Sequence, residues 1–139
     1  MEYKRSDFEI MAPVGSYESL MAAIQSGADS VYFGIENLNM RSRSASNFTT
    51  DDLREIVKIC KENNIKSYLT VNTVIYNDDL DMMRKIIDTA KEVEVSAIIA
   101  ADVAAMLYAY KVGVEVHLST QLNIANVDAL KFYSQYADV

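Results

Sequence analysis

The chain of 139 residues is 50% hydrophobic and 24% charged, which is the composition of one soluble globular domain and excludes a fibrous or disordered segment. A formal charge of −7 excludes non-specific binding of nucleic acid over the whole surface, because such binding is driven by neutralising phosphates, so any anion site must be local. The single cysteine, Cys60, excludes an internal disulfide and a multi-cysteine metal site, and makes a reducing cytoplasm the default compartment.

In chain order, Met1 to Glu9 is charged and has no apolar h-region, so no signal peptide is expected. A first strand is predicted over Phe8 to Val14, followed by a helix from Tyr17 to Ser26 with Ser16 as N-cap and Gly27 as stop. Ser30 to Gly34 reads as the second strand. The run Thr49-Thr50-Asp51-Asp52 is a capping-box-like start for a helix whose apolar stripe is Leu53, Ile56, Val57 and Cys60. The third strand spans Lys66 to Asn72. The helix after Asn77-Asp78-Asp79 places Leu80, Met83, Ile86, Ile87 and Ala90 on one face. A fourth strand, Ser96 to Ala101, leads to a helix over Val103 to Lys111 that stops at Gly113. The apolar stretch Ala97 to Tyr110 is broken by Asp102 and is shorter than the ~20 residues of a membrane span, so no membrane partner is expected. A fifth strand over Val114 to Ser119 and a helix over Ala125 to Tyr136 complete the series.

Alternating strands and helices predict an α/β fold with a parallel sheet. Two architectures fit: an open doubly wound sheet of five strands, or a partial (β/α)₈ barrel of the TIM type with about five β/α units. Strands buried on both faces of an open sheet read as unbroken apolar runs. Here Tyr68, Thr70 and Asn72 alternate with Leu69 and Val71, and Glu115, His117 and Ser119 alternate with Val116 and Leu118. A polar set facing a barrel axis and an apolar set facing helices explains both, so the barrel is preferred. The approaches Gly27-Ala28-Asp29-Ser30-Val31 and Val95-Ser96-Ala97-Ile98 are echoed by Tyr136-Ala137-Asp138-Val139. The last residues therefore read as the start of a sixth strand. Because closure needs eight strands and ~250 residues, residues 1–139 are expected to be the N-terminal part of a single barrel domain, a fragment truncated at that strand. Its exposed first and last strands could pair copies into a homo-oligomer.

In a barrel the chemistry sits where the βα loops converge, at the C-terminal ends of the strands. Asn72, Asp102, Ser119, Gln121 and Asn123 fall there, a set of hydrogen-bonding groups suited to a polar small molecule. The loop from Asn37 to Asn47 carries Arg41 and Arg43 and no acid; an arginine fork recognises carboxylate or phosphate at two points, while the plainer reading is a solvated serine-rich loop. His117, the only histidine, is an acid/base candidate, against the plainer reading of a hydrogen-bonded structural histidine. Without a second histidine or cysteine partner, no metal site is expected. Cys60 lies on an apolar stripe and reads as packing. Ser119 lacks a nucleophile-elbow context, and Gly34 belongs to no dinucleotide fingerprint.

Taken together, Ile10-Met11-Ala12-Pro13-Val14-Gly15, Gly27-Ala28-Asp29-Ser30-Val31-Tyr32-Phe33-Gly34, Met40-Arg41-Ser42-Arg43, Leu69-Thr70-Val71-Asn72 and His117-Leu118-Ser119-Thr120-Gln121-Leu122-Asn123 resemble the N-terminal half of peptidase family U32. One departure is Tyr76, which stands where many relatives have a histidine. The resemblance implies a TIM-type barrel and two activities: a collagenase-like peptidase (hydrolase), or a hydroxylation protein acting on tRNA uridine, rRNA or a quinone precursor. In the hydroxylation branches it implies an iron–sulfur cluster in the full-length protein, on cysteines beyond residue 139, and no cofactor within this chain. It also implies prephenate as a small carboxylate partner, for which Arg41 and Arg43 are suited. The expected parent is thus an RNA-modifying enzyme, with this segment supplying substrate-pocket residues Arg41, Arg43, Asn72, His117, Ser119, Gln121 and Asn123. The alternatives are a peptidase and a catalytically inert oligomerising fragment.

Overall fold

The computed structural model describes residues 2–39 and 48–139. Five strands, β1 (Met11–Pro13), β2 (Ser30–Gly34), β3 (Lys66–Val71), β4 (Ala97–Ala100) and β5 (Val116–Leu118), form one sheet in chain order, and every neighbouring pair is parallel. The helices between and after them are α1 (Tyr17–Gln25), α2 (Thr50–Glu62), α3 (Leu80–Val93), α4 (Val103–Val112) and α5 (Val127–Tyr133). A doubly wound sheet reverses its strand order at a switch point. This sheet has no reversal, and the doubly wound alternative is set aside.

Local chemistry sets the helix boundaries. Ser16 caps α1 by accepting from the Ser19 N–H, Thr49 caps α2 through Asp52, and Asp102 caps α4 through Ala104. Gly113 ends α4 in the left-handed region at φ 75°, where a side chain would be strained. Most strands and α5 are shorter than the sequence predicts, β1 and α5 by the most residues. β1 lacks Phe8 to Ile10, because this edge strand has one partner and Phe8 and Ile10 stand half exposed. α5 starts at Val127, because the Asn126 side chain accepts from the Ala129 N–H and holds its own backbone extended.

The strand pleat sorts residues onto two faces. Val31, Phe33, Leu69, Val71, Ile98 and Val116 are buried in a single cluster with Leu20, Leu53, Ile56, Ile86 and Met106 from α1 to α4. The helices therefore pack on one face. The opposite parity runs across the sheet in register as Gly34, Thr70, Ile99 and His117.

The internal echo corresponds to a shared contact. The Asp29 N–H donates to the Ile10 carbonyl at 2.9 Å while its Oδ2 accepts from the Ile10 N–H at 2.6 Å. Ser96 makes the same double contact with Ser67, at 2.9 and 3.0 Å. Asp138 repeats it with Val116, at 2.8 and 3.0 Å. Each is a short polar residue clasping a residue at or just before the start of the preceding strand's paired segment, with one donor and one acceptor satisfied together. Residues 138 and 139 are thereby hydrogen-bonded along β5, as the start of a sixth strand would be, with Leu118 N–H donating to the Val139 carbonyl at 2.7 Å.

Candidate substrate pocket at the C-terminal strand ends

A cavity of ≈ 330 Å³ opens on the face not covered by helices. Its lining includes Tyr32, Thr70, Asn72, Ile99, His117 and Ser119, and so brings together residues up to 87 positions apart from β2 to the end of β5. A larger cavity of ≈ 600 Å³ lies at the opposite strand ends, around Glu9, Asp29, Asn64 and Lys66. That end of a parallel α/β unit serves stability rather than chemistry, so the smaller cavity is the candidate site.

His117 sits in the floor with 14% of its side chain exposed. Its Nε2 lies 2.8 Å from Glu115 Oε1, and its ring centre lies 4.9 Å from that of Tyr68, tilted by 47°. Tyr68 in turn donates its hydroxyl to Glu9 at 2.6 Å, and Lys66 Nζ donates to the other oxygen of Glu9, also at 2.6 Å. Burial pushes the Glu9 carboxyl up, but the hydrogen bonds from Lys66 and Tyr68 outweigh it and bring the pKa down to about 2. Burial, followed by the hydrogen bond to Glu9, pushes the Tyr68 hydroxyl up to about 12. At neutral pH Tyr68 is thus a fixed neutral donor to a carboxylate, and its ring is a fixed wall for His117.

Ser119 is buried; its N–H donates to the Ala100 carbonyl at 2.8 Å, tying the end of β5 to β4, and its Oγ accepts from the Gln121 N–H. Thr70 spends its hydroxyl on the Phe33 carbonyl at 3.1 Å. Asp102 is explained by structure: one oxygen caps α4 and the other accepts from the Ile75 N–H at 3.0 Å, tying the loops after β3 and β4.

Of the residues singled out from sequence, Asn72, His117 and Ser119 line this one cavity. Gln121 and Asn123 do not. Ser119 caps the short 3-10 turn Thr120–Leu122, and that turn leaves both side chains exposed, with Asn123 Nδ2 donating to the Gln121 carbonyl. Arg41 and Arg43 lie outside the described residues. The segment that bears them springs from described anchors: the Ile35–Phe48 bridge, the Glu36 carboxylate accepting from Thr50 N–H at 3.1 Å, and Asn39. Asn39 is 1% exposed and donates to the Ile35 carbonyl, and its amide lies so close over Gly34 that a Cβ there would meet Asn39 Cγ at 2.2 Å. Gly34 is therefore a packing glycine.

Sequence reasoning missed Tyr32, Glu9 and the role of Tyr68. The alternation of β3 carried the signal for Tyr68, whereas Glu9 is 59 residues from Tyr68 and no local pattern marks it. Cys60 is buried on α2 and its thiol is pushed up to about 11 by burial, so it is a packing residue. With that single cysteine, the residues of this chain do not fit an iron–sulfur cluster. Among the described residues no group of three His, Cys, Asp or Glu side chains could hold a metal, and no helix is long and apolar enough to cross a membrane.

Comparison with known proteins settles the family. The profile of Peptidase family U32 matches residues 15–137. This chain belongs to that family. A Porphyromonas gingivalis protein named collagenase is 70% identical over 96% of this chain and 32% of its own length. The tRNA hydroxylation protein P1 of Bacillus subtilis is 34% identical over 91% of this chain and 30% of its own length. This U32 chain thus spans about a third of the curated relatives it matches. A solved U32 peptidase structure superposes with a TM-score of 0.76 over 99% of this chain and 59% of that one, at 16% identity, a likeness of fold alone.

Proposed function

We propose that this chain contributes five β/α units and the start of a sixth strand to a (β/α)₈ barrel, and that its cavity forms part of the substrate pocket of an RNA-modifying hydroxylation protein. The observation that carries this reading is the pocket itself, where directional polar groups on Asn72, His117 and Ser119 share ≈ 330 Å³ with the aromatic side chain of Tyr32. Such a lining suits one planar, polar heterocycle taken out of a stack. Phosphate neutralisation over the whole face is not required for that, which accommodates the charge of −7. Relatives named for hydroxylation of tRNA and for synthesis of 5-hydroxycytidine in 23S rRNA add support from outside the geometry. Arg41 and Arg43 are assigned to a small dicarboxylate such as prephenate, on the two-point fit of paired guanidinium groups to carboxylates. The iron–sulfur cluster of such a protein is assigned to residues outside this chain. The protein is taken to work in the cytoplasm.

The test is nucleoside mass spectrometry of tRNA from a strain lacking the full-length gene. Hydroxyuridine should fall in the deletion and return with the wild-type gene but not with His117→Ala or Asn72→Ala. An unchanged hydroxyuridine level in the deletion removes this reading. The 70% identity to the collagenase favours a second reading, a peptidase. Cleavage of gelatin by the purified full-length gene product, abolished by Ser119→Ala or His117→Ala, would establish it instead.

A further inference from the structure

The outer faces of α2, α3 and α4 are not alike. Every exposed residue of α2 carries a charge, and α3 departs from that only at Met82. On α4 the exposed residues are Lys111 and three apolar ones, Val103 at 43%, Leu107 at 44% and Tyr110 at 64%. Spacings of four and three residues put Val103, Leu107 and Tyr110 in one stripe along the helix. The other side of α4, with Ala105, Met106 and Ala109, is sealed in the core. The helix is therefore apolar almost all round, which is the pattern of a helix covered on every side. Barrel neighbours do not supply that cover, because α4 already has one on each flank. The Tyr108 hydroxyl donates to Asp88 of α3 at 2.9 Å, and Tyr110 lies edge-on to Tyr136, just past α5, with ring centres 6.0 Å apart. Further β/α units would extend the ring beyond α5 and leave the stripe on the outside.

We propose that this stripe is the contact surface of a two-fold dimer, in which α4 packs antiparallel against α4 of a second copy with Leu107 at the axis. Charge selects that occupant. At a net charge of −7 two copies repel unless they meet through neutral surface, and among α2, α3 and α4 only the last offers a neutral outer face. Its single exposed charge, Lys111, lies at the C-terminal end, and Asp102 lies at the N-terminal end. Antiparallel packing brings the basic end of each helix to the acidic end of the other and sets the helix dipoles in opposition; parallel packing would bring like ends together. An anionic membrane would call for several lysines or arginines on the helix, and α4 has one. The 10 residues of α4 make a contact only ~15 Å long, so the dimer belongs to the weak, reversible class. The surface is separate from the pocket and from the strand edges, so dimerisation is independent of the pocket's chemistry.

Sedimentation equilibrium of the full-length gene product and its variants tests this. The wild type should associate reversibly to a dimer. Leu107→Asp and Leu107→Lys each set like charges against each other at the axis and should raise the dimer Kd about a hundredfold. A mixture of the two should associate again, because residue 107 of one copy faces residue 107 of the other. Leu107 is exposed in the single chain, so both variants should keep the wild-type circular dichroism spectrum. Tyr110→Ser adds no charge and should weaken the dimer about tenfold, which keeps the surface under test if a charge at position 107 unfolds the chain. A wild type that is monomeric at every concentration, with the stripe bare or covered by another protein, overturns the dimer. So does a dimer that survives Leu107→Asp, or a mixture no more associated than either variant alone, since each places the contact elsewhere.

Discussion

The two faces of the sheet are made from alternate residues of the same strands, yet they follow different rules. On the helix-covered face, Val31, Phe33, Leu69 and Ile98 are sealed from solvent and have only shape to satisfy. On the open face, Tyr68, Thr70 and Ser119 are nearly as buried, but each has a named hydrogen-bond partner. Burial alone therefore does not distinguish core from pocket in this molecule. What distinguishes them is whether a polar atom is directed, because a buried polar group without a partner costs about 1–3 kcal/mol and an apolar one costs nothing.

That contrast can be broken experimentally. Phe33→Ala, on the sealed face, should cost about 3–5 kcal/mol through the cavity it leaves, read as a lower urea midpoint. Gly34→Ala, one residue later on the open face, forces a methyl group into Asn39 and should cost about 1–3 kcal/mol; the double variant with Asn39→Gly should recover much of it. If the double variant is no better than Gly34→Ala, the close packing is not the reason for the glycine. Ser96→Ala removes one half of a strand clasp and should cost about 1 kcal/mol by thermal unfolding.

Smaller still is an acid-dependent effect. Because the folded protein holds Glu9 near 2, below its ordinary 4.5, the stability from its contacts is complete above about pH 4.5 and is lost as pH falls toward 2. Glu9→Gln should flatten that part of the stability curve in an acid titration followed by circular dichroism. An unchanged slope would show that the Glu9 contacts contribute nothing. The smallest change is expected from Lys61→Ala, which removes an exposed ion pair with Glu94 and should leave the unfolding midpoint unmoved.

What local chemistry could decide was legible in the sequence. The caps Ser16 and Thr49 placed the starts of α1 and α2 and the stop at Gly113 placed the end of α4, because such contacts join residues two to four apart, whereas Asp102 read as a pocket candidate and only the structure showed it to be a cap. The alternation in β3 and β5 revealed which side chains share a face, and so brought Asn72, His117 and Ser119 to one cavity. The repeated small polar residue at Asp29, Ser96 and Asp138 was visible as an echo, though not as a clasp. Only the tertiary structure could decide the rest. Glu9 meets Tyr68 across 59 residues of chain, Asn39 fills the space over Gly34, and the turn after Ser119 carries Gln121 and Asn123 out of the pocket. Pattern along a strand specifies which way a side chain points; what it meets there depends on the strand beside it, and that is settled only when the sheet assembles.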